Sequence, residues 1–176
     1  MQADHCIDGP DFKLSNSVNG HLEGARREAG YCIVFFRKTN EDKYRESRIS
    51  LPDHAIIGGG FDRFIESNWN RLLAGEVFKR PFLVPSFHKF IDFKIYLEKS
   101  TGADVVFVME PASFLLRVLS DPITVTYNRG SASLRLYKGV SNIRDQAGEN
   151  LDVRVEFTPA GGNTVSETAA SSTRMD

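Results

Sequence analysis

The sequence predicts a mainly β (α+β) fold: one strongly curved antiparallel sheet of about seven to eight strands, wrapped on a single amphipathic helix, with a short second helix. Three observations lead to this prediction. Apolar and polar residues alternate with period two in several segments, short turn-forming stretches separate these segments, and only one long segment repeats its apolar residues at helical spacing. A sheet of this kind needs a helix to cover its apolar face.

Two segments carry the clearest strand pattern. Residues 91–98 alternate apolar and polar side chains, as expected for a strand with one buried and one wet face, and residues 151–157 repeat this pattern. A hairpin turn at residues 128–132 joins two further strands, PITVTY (122–127) and SLRLY (133–137). The less regular predicted strands are YCIVFFRK (31–38), YRESRISL (44–51), VFKRPFLV (77–84) and ADVVFVME (103–110), and DFKLSN (11–16) is a possible first strand.

Two of these strands are predicted to lie at sheet edges. Pro81 has no backbone N–H to donate, so its strand is expected at an edge or at a bulge. DFKLSN is short, which favours an edge position. An unpaired edge can bind a strand of another chain, so edge-strand self-association is one expected interaction.

The predicted helix spans residues 61–74. Its apolar residues fall at intervals of three and four and form one stripe: Phe61, Phe64, Ile65, Trp69, Leu72 and Leu73. Three glycines, Gly58 to Gly60, precede it. A phosphate-binding loop would need a lysine and a hydroxyl at set positions, and a dinucleotide site would need a parallel strand–helix–strand unit; the sequence has neither pattern. The glycines are interpreted as a flexible lead-in to the helix, and no cofactor is predicted.

The short second helix is predicted within PASFLLRVLSDP (111–122). This segment has proline at both ends, and Pro111 suits the first position of a helix. Its apolar residues would otherwise form a buried crossing loop.

Length and charge set the broad class. A chain of 176 residues can bury the core of one domain, which we place at residues 12–157, between a loose segment at 1–11 and a disordered tail at 158–176. With 22 basic and 23 acidic residues, the formal net charge is -1, so the basic excess that nucleic acid requires is absent. No apolar run is long enough for a transmembrane helix, and the first residues show no signal peptide.

Metal and disulfide chemistry find little support. Cys6 and Cys32 cannot form a structural zinc site by themselves. Two free thiols are expected, and a disulfide between them is the alternative. His21, His54 and His88 are too scattered to indicate a metal site. Each is interpreted as a surface or strand-end residue without a special role.

No catalytic residue is assigned from the sequence. On one strand, Ser86 and His88 would lie about 6.6 Å apart, and His88 and Asp92 about 13 Å apart. Hydrogen-bonded catalysis needs about 3 Å, so this local set fails. A triad assembled from distant strands stays open.

The densest polar cluster is SNIRDQAGEN (141–150), predicted to form one turn between two strands. Asn142, Arg144 and Asp145 are its candidate ligand-binding residues. The composition favours a simple turn, in which Asp and Asn side chains bond to the backbone and Gly148 has positive φ, over a ligand site.

Four stretches of the sequence, in this order along the chain, resemble a known protein family. FDRFIESNWNRLLAGE, FLVPSF, LSDPITVTYN and SNIRDQAGEN resemble a family of uncharacterised bacterial exported proteins, similar to secreted half-barrel domains related to the periplasmic lipoprotein carriers. The resemblance spans about residues 12–157 and implies a curved sheet wrapped on a helix, located in the periplasm or cell envelope. It supplies no catalytic residues. Family members begin with a signal peptide and an extra strand, which this sequence lacks.

The function expected from these observations is a non-catalytic cell-envelope binding module for a lipid, an acyl chain or a lipidated protein. The 13 phenylalanines and the single covering helix suggest an aromatic hollow in the sheet. Its candidate ligand contacts are Phe64, Trp69, Phe93 and Phe107. Complete filling of the hollow by the helix is an equally weighted alternative. Two other functions stay open: a hydrolase with its site at the sheet rim, and an assembly protein without a small ligand.

Overall fold

The computed structural model describes residues 9, 11–119 and 121–158. They form ten strands, three α-helices and a 3-10 turn at Pro85–Phe87. The strands are β1 (Phe12–Ser15), β2 (Leu22–Glu28), β3 (Tyr31–Arg37), β4 (Arg45–Ser50), β5 (Phe78–Val84), β6 (Lys89–Ser100), β7 (Asp104–Pro111), β8 (Ile123–Asn128), β9 (Leu134–Arg144) and β10 (Asn150–Glu156). The helices are α1 (Gly60–Ser67), α2 (Trp69–Leu73) and α3 (Phe114–Leu119). Most of the predicted loose segment, including Cys6, and all but Thr158 of the predicted tail lie outside the described residues.

The mainly β prediction is confirmed, but the prediction of one strongly curved sheet is wrong. The strands form two antiparallel sheets, ordered β1-β2-β3-β4 and β10-β9-β8-β7-β6-β5, and neither is strongly curled. The sequence pattern missed β2, because the second half of this strand carries the exposed charged residues Arg26, Arg27 and Glu28. The helical segment lies between β4 and β5 in the chain, and those two strands do not pair with each other.

The predicted single helix is also divided. It breaks at Asn68, which has φ -115° and ψ 14° and whose side-chain Nδ2 donates to the Phe64 carbonyl at 2.9 Å. An Asn side chain that bonds to the backbone competes with the next helical hydrogen bond, which explains the break. α1 and α2 follow on either side of it.

The apolar stripe of α1 and α2 packs on the six-stranded sheet. Phe64, Ile65 and Leu72 are buried among residues from the four neighbouring strands β5 to β8. Tyr127 of β8 donates from its hydroxyl to Asp62 Oδ1 at 2.6 Å, which links the sheet to the first turn of α1. Burial and this hydrogen bond raise the pKa of Tyr127, so its hydroxyl remains a donor at neutral pH.

A second, smaller core joins the two sheets. Ala25, Cys32 and Val34 of the four-stranded sheet pack with Ile57 and Leu83. Burial raises the pKa of the Cys32 thiol to about 11, so it acts here as a small apolar side chain.

Both edge predictions are confirmed. β1 and β5 each lie at the edge of a sheet. The Pro81 carbonyl accepts from Ile56 N at 2.8 Å on the outer side of β5, and Ile56 O accepts from Leu83 N at 3.0 Å. Because the N and C=O of a strand residue point the same way, the missing N–H of Pro81 costs no hydrogen bond to β6.

The short second helix is confirmed as α3. Within the described residues, no helix combines the length and the apolar character needed to cross a membrane.

Substitution Phe64→Ala tests the packing of α1 on the sheet. We expect the free energy of unfolding to fall by about 3–5 kcal/mol, because the change leaves a cavity in the main core. Phe114→Ala is the matched control. Its side chain is 69% exposed, so the free energy of unfolding should change by less than about 0.5 kcal/mol. Urea denaturation measures both, and equal effects would contradict the described core.

Candidate functional site

Three of the four predicted aromatic ligand contacts lie together in the main core. Phe64 and Phe107 are fully buried, and Trp69 is partly buried between the helices and the sheet. The Trp69 ring contacts Phe107 and Tyr127 edge-to-face, with centroids 5.5 Å and 5.7 Å apart. These rings are therefore partners of one another in the packing between helix and sheet.

Phe93, the fourth predicted contact, lies on β6 and packs against the main core. Its ring packs on that of Phe82 of β5, with ring centroids 5.6 Å apart. Two open clefts on the surface lie elsewhere. One, of about 690 Å³, lies across the ends of β7 to β10, and the other, of about 500 Å³, lies between loop residues 18–19, 38–42 and 146–147. Both are open and lined largely by polar side chains.

The predicted polar turn at 141–150 is shorter than expected. Ser141 to Arg144 continue β9 and Asn150 begins β10, so the turn itself comprises residues 145–149. Asp145 Oδ1 accepts from the Glu149 N–H at 2.8 Å, and Gly148 has φ 76°, as the simple turn interpretation predicts. Asn142 is exposed on β9. The period-two pattern is broken in this part of β9, which is why the sequence indicated a loop.

Arg144 reaches the other sheet, where it meets two buried ionisable residues. His21, directly before β2, and Glu23, within it, are only 1% and 2% exposed. His21 Nε2 lies 3.4 Å from Glu23 Oε2 without forming a hydrogen bond, and His21 Nδ1 is 3.0 Å from the Arg37 carbonyl. His21 directly precedes β2, which agrees with the strand-end alternative of its prediction. The surface alternative is wrong, because His21 is buried where the unpredicted strand β2 begins.

Hydrogen bonds and an ion pair hold the turn after β9 against the same part of the four-stranded sheet. Asn19 Nδ2 donates to the Asp145 carbonyl at 2.6 Å, and Asn19 Oδ1 accepts from His21 N at 2.9 Å. Lys38 and Glu149 form an ion pair at 2.5 Å, and Arg144 donates to the Gly148 carbonyl at 2.8 Å. Arg144 and Asp145, two of the three predicted ligand-binding residues, thus connect the two sheets.

Burial dominates the electrostatics of this cluster. Desolvation raises the pKa of Glu23 to about 7, against the opposing attraction of Arg144. Desolvation also lowers the pKa of His21, and the positive charge of Arg144 lowers it further. At neutral pH, His21 is therefore neutral, and Glu23 keeps its proton to a higher pH than an exposed carboxyl group does.

A second polar contact crosses between the sheets at His88. The His88 Nδ1 atom lies 2.6 Å from Ser47 Oγ on β4. His88 has φ 51°, a left-handed conformation that is uncommon for a residue other than glycine. Asp92, considered beside His88 on sequence grounds, instead pairs with Lys79 at 2.7 Å. Ser47 is 41 residues away from His88 in the chain, so no local spacing could have indicated this pair.

Phe36 connects the two polar contacts. Its ring lies 5.6 Å from the Arg45 guanidinium, 5.1 Å from that of Arg144, and 5.6 Å from the His21 ring. Glu23, Phe36 and Arg45 are register partners in one row across β2, β3 and β4. We call the polar residues around Phe36 and along β4 the inter-sheet seam: His21, Glu23, Arg45, Ser47, His88 and Arg144.

The other notable surface is apolar and lies on α3. Phe114, Leu115 and Val118 are 69%, 74% and 70% exposed, and we call them the α3 surface. Arg117, the only charged residue in the helix, turns to the sheet and pairs with Glu110 of β7 at 3.2 Å.

Comparisons with protein-family models, with curated proteins and with solved structures found no match to this chain. Among the described residues, no group of three or more His, Cys, Asp or Glu side chains is arranged to hold a metal ion. The assignment of function therefore rests on the seam and the α3 surface.

Substitution Glu23→Gln tests the buried carboxyl group. Folded Glu23 holds its proton up to about pH 7, whereas the unfolded chain releases it near pH 4.5, so this residue's contribution to stability is present in acid and is lost as the pH rises through 7. Between pH 6 and 8, the wild type should lose about 1 kcal/mol of unfolding free energy relative to the variant.

His21 contributes with the opposite sign, since its folded pKa is lowered from 6.5, so its contribution to stability changes mainly in acid. Urea denaturation at several pH values measures the difference. Glu41→Gln, at an exposed acid, is the matched control and should follow the wild type. Parallel curves for wild type and Glu23→Gln would contradict the burial of this carboxyl group.

Proposed function

We propose that this protein is a binding module that recognises an apolar, lipid-like ligand, and that the α3 surface makes the contact. The proposal is carried by one observation: three neighbouring apolar side chains of one short helix are each about 70% exposed. Single exposed apolar residues are ordinary on protein surfaces, whereas a contiguous group of them is typical of an interaction site.

The position of α3 supports this proposal. The ion pair between Arg117 and Glu110 directs the only charge of the helix toward the sheet. Phe114 and Leu115 are left on the solvent side, with Val118 one turn further along the helix. The outer side of α3 therefore presents no charge of its own, which favours an uncharged apolar phase over an ionic partner.

The size of the surface favours lipid over a protein partner. Three side chains of this size, about 70% exposed, offer roughly 350 Å² in total, well below the roughly 800 Å² that each partner contributes to a stable protein interface. Insertion into lipid needs no matching shape, and its favourable free energy grows with the apolar area that leaves water.

The interior offers less support for a ligand site. The stripe of α1 and α2 contacts the sheet directly, and Phe64 and Phe107 are buried within that contact. An apolar ligand that entered there would have to displace the protein's own side chains. On the resemblance alone, we also propose that the protein acts in the bacterial envelope, as the related half-barrel domains do.

Flotation with phosphatidylcholine vesicles tests the proposal. Wild type should float with the vesicles, and Phe114→Glu and Leu115→Glu should each lower the partition coefficient about tenfold or more, because each loses the burial of a large apolar group and adds a charge. Binding should change little with salt, since no ion pair with the lipid is involved.

Phe87→Glu is the matched control. Phe87 is 57% exposed but lies in the 3-10 turn before β6, away from α3 in the chain, so its substitution should leave vesicle binding unchanged. A wild type that does not float, or an equal loss in all three variants, would refute the α3 surface as the contact.

A further inference from the structure

The inter-sheet seam brings a serine hydroxyl into hydrogen-bond contact with a histidine. Ser47 lies on β4 of one sheet, and His88 follows the 3-10 turn at the start of β6 in the other sheet. Their Oγ and Nδ1 atoms are 2.6 Å apart. Both residues are half-buried, so the pair lies at the surface of the junction. A nucleophile within hydrogen-bond reach of a base is the first geometric requirement for acyl transfer.

The protonation state of His88 suits a general base. Its pKa is lowered, first by burial and then by the positive charge of Arg45, so the imidazole is neutral at neutral pH. In the tautomer that carries its proton on Nε2, the Nδ1 atom accepts the Ser47 hydroxyl proton. The left-handed backbone of His88 is a second indication, because residues held in sparsely populated conformations cluster at functional sites.

Two neighbouring side chains supply other parts of such a site. Arg45 lies two residues before Ser47 on the same face of β4, and its Nη2 donates to the Ser86 carbonyl at 3.2 Å. This places a guanidinium beside the pair, where it would stabilise negative charge on a reacting oxygen. Phe87, the residue before His88, is 57% exposed and offers an apolar contact for a small acyl group.

We propose that Ser47 and His88 act as a nucleophile–base pair that hydrolyses small carboxylic esters. Ser47 Oγ forms a bond to the carbonyl carbon while its proton passes to His88 Nδ1. The ester C–O bond then breaks, and His88 returns that proton to the leaving alkoxide. Water attacks the acyl-Ser47 group in the second half, giving its proton to His88, and Ser47 leaves with that proton restored. The products are one carboxylic acid and one alcohol, with no oxidant or other co-reactant.

The surroundings restrict both rate and substrate. His88 Nε2 is buried without a hydrogen-bond partner in the described part of the chain, so no carboxylate orients the imidazole as in a complete triad. Turnover should be slow for that reason. An ester is favoured over an amide because an alkoxide or phenoxide leaves with less assistance from an acid.

Covalent labelling gives the most direct test. The full chain is treated with a fluorophosphonate probe, and the adduct is located by peptide mass spectrometry, while 4-nitrophenyl acetate hydrolysis is followed in parallel. We expect the adduct on Ser47. Ser47→Ala should abolish it, and His88→Asn should slow both labelling and hydrolysis about 10²-fold. Asn tolerates the left-handed backbone, so this variant removes the base while retaining the local conformation.

Ser50→Ala is the control on the same strand and should label and hydrolyse as the wild type does. Urea denaturation of each variant shows whether the fold is intact. Absence of an adduct on Ser47, or labelling that His88→Asn leaves unchanged in a folded protein, overturns the proposal. Phe114→Glu, which tests vesicle binding, should leave labelling intact, so the two proposals fail independently.

Discussion

Packing of the α1–α2 stripe on the six-stranded sheet is the interaction on which the rest of the structure depends. Phe64, Ile65 and Leu72 cover the face formed by β5 to β8, and this contact contains most of the large buried side chains. An antiparallel sheet with one apolar face is not stable alone in water. Because the helices cover that face, the loops and the second sheet can carry polar residues without loss of the main core.

The contact between the two sheets is of a different kind. A small apolar core around Val34 and Leu83 is continued by the inter-sheet seam, in which charged and neutral polar groups lie close to Phe36. Buried ionisable groups generally cost stability in comparison with apolar ones. Their presence beside a core that could have been apolar is therefore an argument for a role in chemistry or recognition.

The sequence was informative where one pattern decided the outcome. Alternation in residues 91–98 and 151–157 marked β6 and β10, and the prolines around residues 111–122 marked α3. Prediction from the sequence failed where a second interaction opposes the local pattern. The charged residues of β2 interrupt its apolar pattern, and a side-chain hydrogen bond from Asn68 divides the helix. The division into two sheets and the approach of Ser47 to His88 depend on contacts between distant segments, which local spacing does not encode.

The short bridge at Ile56 has a consequence for assembly. It occupies the outward hydrogen-bonding groups of Pro81 and Leu83 in the middle of β5, so within the part of the chain that the structure describes the β10 edge is the more open side of the six-stranded sheet. Pairing through this one edge alone cannot extend into a filament. Two copies that met there would pair β10 with β10 around a twofold axis and would stop at a closed dimer.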